Sequence, residues 1–160
     1  MPTLDFCNGF LEAMALLNAE LTDVYSAFEI SRLPEAPNLR AALDLHFENQ
    51  GKVLYSPPRE YPASAWHIEL DEIDGLDGKV MRKICEQWFF CSTCMTAAPQ
   101  SHHYRSNVVG AFLGALSSAF KDYIPHTVLT RPPIWYAEEW NDIAFEKGHE
   151  RYLMHMSRSN

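Results

Sequence analysis

Apolar residues recur at intervals of three and four residues in several stretches of the chain, which is the spacing of one face of an α-helix. The clearest stretch begins at Val80 and ends at Met95, and Pro99 follows it. Asp77 precedes this stretch and is expected to cap the helix through its carboxylate. The same spacing predicts five helices in all, over about 5–31, 38–50, 80–95, 103–123 and from about 137 to 153.

Other stretches alternate between apolar and polar residues, which is the pattern of a strand with one buried face. From Ala65 to Ile73, Trp66 and Ile68 alternate with His67 and Glu69. Residues 52–55 and 126–130 are also rich in strand-forming residues. We therefore predict two or three short strands, of which 52–55 and 65–73 form a hairpin.

These elements predict a single α+β domain over residues 1–160, with about five helices around a small two- or three-stranded antiparallel sheet. A chain of 160 residues with 47% hydrophobic residues is long enough for one well-buried core. The helices over 80–95 and 103–123 are expected at its centre. The tail over 154–160 is expected to fray.

The first predicted helix has a regular apolar seam whose spacings alternate between four and three residues. The seam consists of Phe10, Met14, Leu17, Leu21, Val24 and Phe28. A helix that packs on its own core explains this pattern. A homo-oligomer formed through the first helix is the alternative.

The charge balance bears on the kind of partner. The chain has 21 acidic and 13 basic residues and a net charge of −8. Phosphate backbones are bound through Lys and Arg, so direct nucleic-acid binding is not expected. A protein partner with a basic surface fits the charge better.

No stretch approaches the ~20 consecutive apolar residues that a membrane-spanning helix needs, so no membrane partner is expected. The first residues lack the basic and apolar regions of a secretory signal, which favours a cytoplasmic location. The four cysteines do not form a disulfide framework for a chain with this much core, so free thiols are expected.

Cys91, Cys94, His102 and His103 form the densest group of soft metal ligands in the chain. Two thiolates and one or two imidazoles suit tetrahedral zinc. The alternative is that the cysteines are buried small hydrophobic residues. Without zinc, no cofactor is expected.

Glu146 and His149 have the Glu-x-x-His spacing of di-iron ligands, but such sites need two copies and the chain has one, so a solvated helix face is the alternative. Asp44 with His46 and His67 with Glu69 are other acid–histidine neighbours. Such pairs transfer protons when they meet in a cleft. The chain contains no phosphate-binding loop, nucleophile elbow or zinc-protease motif.

Two aromatic and proline-rich segments, Tyr55 to Trp66 and Arg131 to Trp140, are the candidates for a recognition surface. The predicted partner-binding residues in and close to these segments are Tyr61, Trp66, Glu69, Asp71, Trp135, Glu138 and Glu139. The three tryptophans in or beside these segments could instead cover the ends of the core. We therefore favour a non-enzymatic interaction protein of the inhibitor, immunity, chaperone or adaptor type. The alternative is a small metal-dependent or acid–base enzyme that uses the cysteine–histidine group or the acid–histidine pairs.

Overall fold

A computed structural model describes residues 1–22, 24–54, 66–90, 101–131 and 137–159. Four helices and five strands lie in these ranges. In chain order they are α1 (Leu4–Leu21), β1 (Tyr25–Arg32), α2 (Leu39–Leu54), β2 (His67–Glu72), α3 (Lys79–Phe89), α4 (His102–Ala119), β3 (Ile124–Arg131), β4 (Glu139–Lys147) and β5 (Glu150–Ser159).

All five strands form one antiparallel sheet in the order β1-β5-β4-β3-β2. The last three strands are neighbours in both sequence and space. β1 extends the sheet on one side and β2 on the other, and α2 connects these two edge strands across one face. This connection makes α2 the one helix on its side of the sheet among the described residues.

Two apolar clusters lie on opposite faces of the sheet, because successive residues of a strand point to opposite sides. In β4, Ile143 and Phe145 belong to the cluster that includes α1, α3 and α4. Ala144, which lies between them, belongs to the cluster around α2. We call these sides the three-helix face and the α2 face.

Local capping chemistry explains where two of the helices begin. The side chain of Asn38 accepts a hydrogen bond of 2.9 Å from the backbone N–H of Ala41, as an N-cap residue does. The cap predicted at Asp77 is instead provided by Asp74, which accepts hydrogen bonds from the backbone N–H groups of Lys79 and Val80. These bonds lower the pKa of the Asp74 carboxyl.

The prediction of one long first helix to about residue 31 is wrong at its C-terminal end. α1 ends at Leu21, and the residues from Tyr25 onward form β1. Phe28 contributed to the predicted helical seam, but it points into the core from a strand. The helix was predicted too far because a few apolar residues can fit the spacing of a helix and the spacing of a strand at the same time.

The predicted final helix is also wrong, because residues 139–159 form the β4–β5 hairpin. Lys147 pairs with Glu150 across a two-residue turn in which Gly148 has a φ of +61°. β4 is buried on both faces, so its apolar residues are consecutive and give no alternation. A short apolar run of this kind does not distinguish a strand from a helix.

Helix α2 extends to Leu54, so the strand predicted over 52–55 is wrong for residues 52–54, and Tyr55 lies outside the described residues. The predicted hairpin partner, β2, pairs with β3 instead. The α+β class is correct, whereas the prediction of about five helices around two or three strands is corrected to four helices and a five-stranded sheet in the described ranges.

None of the helices in the described part of the chain is both long and apolar enough to cross a membrane.

Candidate functional site

A cleft opens where β3 and β4 diverge. The described register between these strands runs from Ile124 opposite Glu146 to Val128 opposite Asp142. Beyond this point β3 continues beside β2, and β4 continues beside β5. The two halves of the sheet therefore separate at this end, and α3 borders the opening through Trp88.

The cleft has a volume of about 520 Å³, which lies within the range of roughly 300–1,000 Å³ that is typical of ligand pockets. Its aromatic and acidic lining residues are Trp88, Trp140, Glu138, Glu139 and Asp142. Lys and Arg are absent from the described lining residues. The lining is therefore negatively charged and partly aromatic.

One guanidinium group already lies against this lining. The Arg158 side chain, from β5, stacks on the Trp88 ring with a distance of 4.2 Å from Cζ to the ring centroid. Its Nη1 lies 3.5 Å from Oε2 of Glu139, and its Nη2 donates a hydrogen bond of 3.2 Å to the carbonyl oxygen of Gln87. An aromatic face, a carboxylate and a carbonyl thus bind one cation together.

Asp142 connects this cleft with the α2 face. Its side chain is 3% exposed, and its Oδ1 lies 2.7 Å from Nδ1 of His155. Two strands supply the pair, since Asp142 is on β4 and its direct partner in the register, His155, is on β5. A buried carboxylate that is hydrogen-bonded to an imidazole therefore lies behind the cleft.

Two of the predicted partner-binding residues, Glu138 and Glu139, line the cleft and are exposed. Glu69 forms an ion pair of 2.8 Å with Arg131, and Asp71 lies at the exposed end of β2. Trp66 is 8% exposed, and its indole Nε1 donates a hydrogen bond of 3.1 Å to Asp44. Tyr61 and Trp135 lie outside the described residues.

Of the predicted zinc ligands, Cys91 and Cys94 lie outside the described residues, and His102 and His103 are exposed in the first turn of α4. Within the described ranges, no group of three or more His, Cys, Asp or Glu residues is arranged to hold a metal ion. The zinc site therefore stays a prediction.

The other two cysteines, Cys7 and Cys85, are free and buried. Burial raises the pKa of the Cys7 thiol, and it raises the pKa of the Cys85 thiol to about 12. Both thiols therefore stay protonated at neutral pH.

The acid–histidine neighbours of the sequence do not act together in the described structure. Asp44 binds Trp66, and Glu146 forms an ion pair of 2.8 Å with Arg151. His149 is exposed in the turn between β4 and β5. Burial lowers the pKa of His46, whereas Asp142 and Glu29 both raise it, so His46 is within electrostatic range of two other acids.

The Asp142–His155 pair was missed because its members are 13 positions apart and a helix was predicted between them. The sequence feature that could have indicated the β4–β5 hairpin is Gly148. A glycine between two runs of apolar and β-branched or aromatic residues is typical of a hairpin turn, and a hairpin brings residues that are equidistant from the turn together.

The chain was compared with protein families, curated proteins and solved structures. None of the three comparisons gave a match.

Proposed function

We propose that this protein binds a protein partner by receiving a cationic Arg or Lys side chain of that partner in the β3–β4 cleft. The observation that carries the proposal is the composition of the cleft, in which three carboxylates and two tryptophans surround a volume of about 520 Å³. Complementary charge gives such an interface its specificity and speeds association.

The contacts of Arg158 support the choice of a cation. The same part of the protein binds this guanidinium through an aromatic face, a carboxylate and a backbone carbonyl. Arg158 brings one positive charge to Glu139, whereas the lining carries the three carboxyl groups of Glu138, Glu139 and Asp142, so the cleft stays net negative. The net charge of −8 for the whole chain adds to the attraction at long range.

The proposal is tested with a defined peptide, acetyl-Gly-Arg-Gly-amide, and with the same peptide in which neutral citrulline replaces arginine. Binding is measured from amide chemical shifts as the peptide is titrated into the protein. We expect the arginine peptide to shift residues of β3, β4 and α3, and the citrulline peptide to bind far more weakly. Affinity should fall with salt, because the Debye length shortens from ~10 Å at 0.1 M to ~3 Å at 1 M.

Charge variants separate local recognition from general attraction. Glu138→Gln with Glu139→Gln removes two charges at the cleft, and we expect the affinity to fall about fivefold, since exposed ion pairs contribute roughly 0.2–1 kcal/mol each. Glu12→Gln with Glu20→Gln removes two exposed charges on α1 and should change the affinity little. Equal binding of the two peptides, or equal loss in the two double variants, contradicts the proposal.

A further inference from the structure

One side of the β1 backbone faces away from the sheet, because β1 is an edge strand that pairs with β5 alone in the described sheet. Alternate residues of an antiparallel strand direct their N–H and C=O groups to the same side. Leu33, which follows β1, donates its N–H to the carbonyl of Arg151 on β5 over 2.9 Å, whereas the backbone of Ile30 is bonded to a side chain of α1. The N–H and C=O groups of Ser26, Phe28 and Ile30 therefore point away from β5.

At one end of this edge, the Asn8 side chain takes the place of a neighbouring strand. Its Oδ1 accepts a hydrogen bond of 2.7 Å from the Ile30 N–H, and its Nδ2 donates one of 2.9 Å to the Ile30 carbonyl. One residue of an adjacent antiparallel strand would make the same two bonds. In the described ranges no such partner meets the outward N–H and C=O groups of Ser26 and Phe28.

A groove between α1 and β1 opens beside these four backbone groups. Its volume is about 350 Å³, and residues 25–29 of β1 line it together with Asn8, Glu12, Ala15 and Leu16 of α1. Ser26 and Phe28 are thus both in contact with the groove. A second extended backbone satisfies a row of alternating N–H and C=O groups at strand spacing. The groove therefore fits a peptide strand that is added to β1.

The charge of the groove indicates which peptide it favours. Glu12 and Glu29 are exposed, and Lys and Arg are absent from its described lining. Neither carboxylate forms an ion pair in the part of the chain that the structure describes. Glu29 points to the α2 face, so a basic residue opposite it on an added strand would form a favourable cross-strand pair. On the other face, Phe28 and Leu16 offer apolar contact to the alternate residues.

We propose that the β1 edge from Tyr25 to Glu29 binds an extended basic segment of a partner protein, which adds a further antiparallel strand to the sheet. Apolar residues of the segment lie opposite Ser26 and Phe28 and form the hydrogen bonds, and Lys or Arg residues alternate with them. A second copy of this chain fits the edge less well. Pairing two β1 strands would bring the carboxylates of Glu12 and Glu29 from both copies together, and each chain has a net charge of −8.

The inference does not rest on the proposed cation site. The β3–β4 cleft and the β1 edge lie in different parts of the sheet, because β5 separates β1 from β4. Glu138→Gln with Glu139→Gln, which weakens binding in the cleft, should leave binding at the β1 edge unchanged. Failure of one proposal is therefore distinguishable from failure of the other.

The experiment titrates the peptide acetyl-Lys-Val-Lys-Val-Lys-amide into the full-length protein and follows backbone amides by NMR. In the free protein, the N–H groups of Ser26 and Phe28 should exchange with D₂O faster than that of Ile30, which is bonded to Asn8. Saturating peptide should slow exchange at Ser26 and Phe28 at least tenfold. Unchanged exchange at both amides overturns the proposal. A dimer that already protects both amides without peptide assigns the edge to a second copy and also overturns it.

Two methylated peptides test the strand pairing directly. N-methylation of both valines removes the two N–H donors that face the carbonyls of Ser26 and Phe28, and we expect at least tenfold weaker binding. N-methylation of two lysines alters N–H groups that face solvent, so binding should stay within about threefold of the parent peptide. Equal losses, or a larger loss for the lysine-methylated peptide, overturn the proposal.

A pair of charge variants tests the basic character of the segment. Glu29→Gln should weaken binding of the peptide about threefold, as expected for one exposed ion pair. The matched control is Glu72→Gln, an exposed acid on the opposite edge strand β2, which should not change the affinity. Equal losses in the two variants would show that the peptide senses only the overall charge, which contradicts the proposed basic specificity of this edge.

Discussion

The two faces of the sheet differ in what fills them. The three-helix face is packed with aromatic rings, and the Phe112 ring lies 5.3 Å from that of Phe10 and 5.2 Å from that of Phe89. On the α2 face the apolar cluster is smaller, and Glu29, His155 and Asp142 lie in a row beside it. The comparison indicates that aromatic packing fills one face, while the other face keeps titratable groups beside a small pocket.

This division follows from how many helices cover each face. α1, α3 and α4 bury apolar side chains against one another as well as against the sheet. α2 is the only helix on its side in the described residues, so strands at its border keep polar side chains at the edge of a pocket. Polar residues persist there because their hydrogen bonds are satisfied within the protein, as for Asp142 and His155.

We expect the largest loss of stability from a substitution in the aromatic core of the three-helix face. Phe112→Ala removes a fully buried ring, and we expect the free energy of unfolding to fall by about 3–5 kcal/mol. Urea denaturation measures the change. The control is Phe6→Ala in α1, where the ring is 55% exposed and the cost should be far smaller. Similar losses for the two variants would show that the aromatic packing of this face does not dominate stability.

We expect a smaller loss of stability when a hydrogen bond is removed on the α2 face. Trp66→Phe retains an aromatic ring but removes the N–H group that binds Asp44, and should cost about 0.5–1.5 kcal/mol for the lost bond. The double-mutant cycle with Asp44→Ala isolates this bond from the change in ring size. Strict additivity of the two substitutions would show that the bond contributes nothing.

We expect the smallest effect on stability from the titration of His46, which changes how stability depends on pH. The pKa of His46 is lowered in the folded protein, so the unfolded chain binds more protons once the pH falls below the ordinary histidine value of about 6.5. Stability should therefore decline on acidification from that pH down to the folded pKa, and His46→Gln should make the decline shallower. Urea midpoints measured across this range test it, with His149→Gln as the control. Parallel curves for the wild type and His46→Gln would refute the assignment.

Some of the fold follows from local sequence. Asn38 is a capping residue and begins α2, and the alternation around Ile68 gives β2. The helix that contains Cys85 and Trp88 and the helix after Ser101 were predicted from periodicity alone. These elements are readable because the spacing of the apolar residues depends on the local chain and on a single buried face.

The candidate sites were harder to predict from the sequence than these helices and strands. Glu138 and Glu139 were predicted as partner-binding residues, but no sequence pattern indicates that β3 and β4 separate beside them. The Asp142–His155 pair depends on the register of the β4–β5 hairpin, and the proximity of His46 depends on α2 crossing the same face.

Local sequence patterns were sufficient to predict the α+β class, the acidic charge and the positions of several helices and one edge strand. The strands over Glu139–Lys147 and Glu150–Ser159 depend on the tertiary structure. β4 is buried on both faces, so its sequence shows no alternation of apolar and polar residues. Tertiary structure also decided which acid meets which histidine. Strand pairing joins residues that are distant in sequence, and a shift of one residue in register would turn Asp142 and His155 to opposite faces.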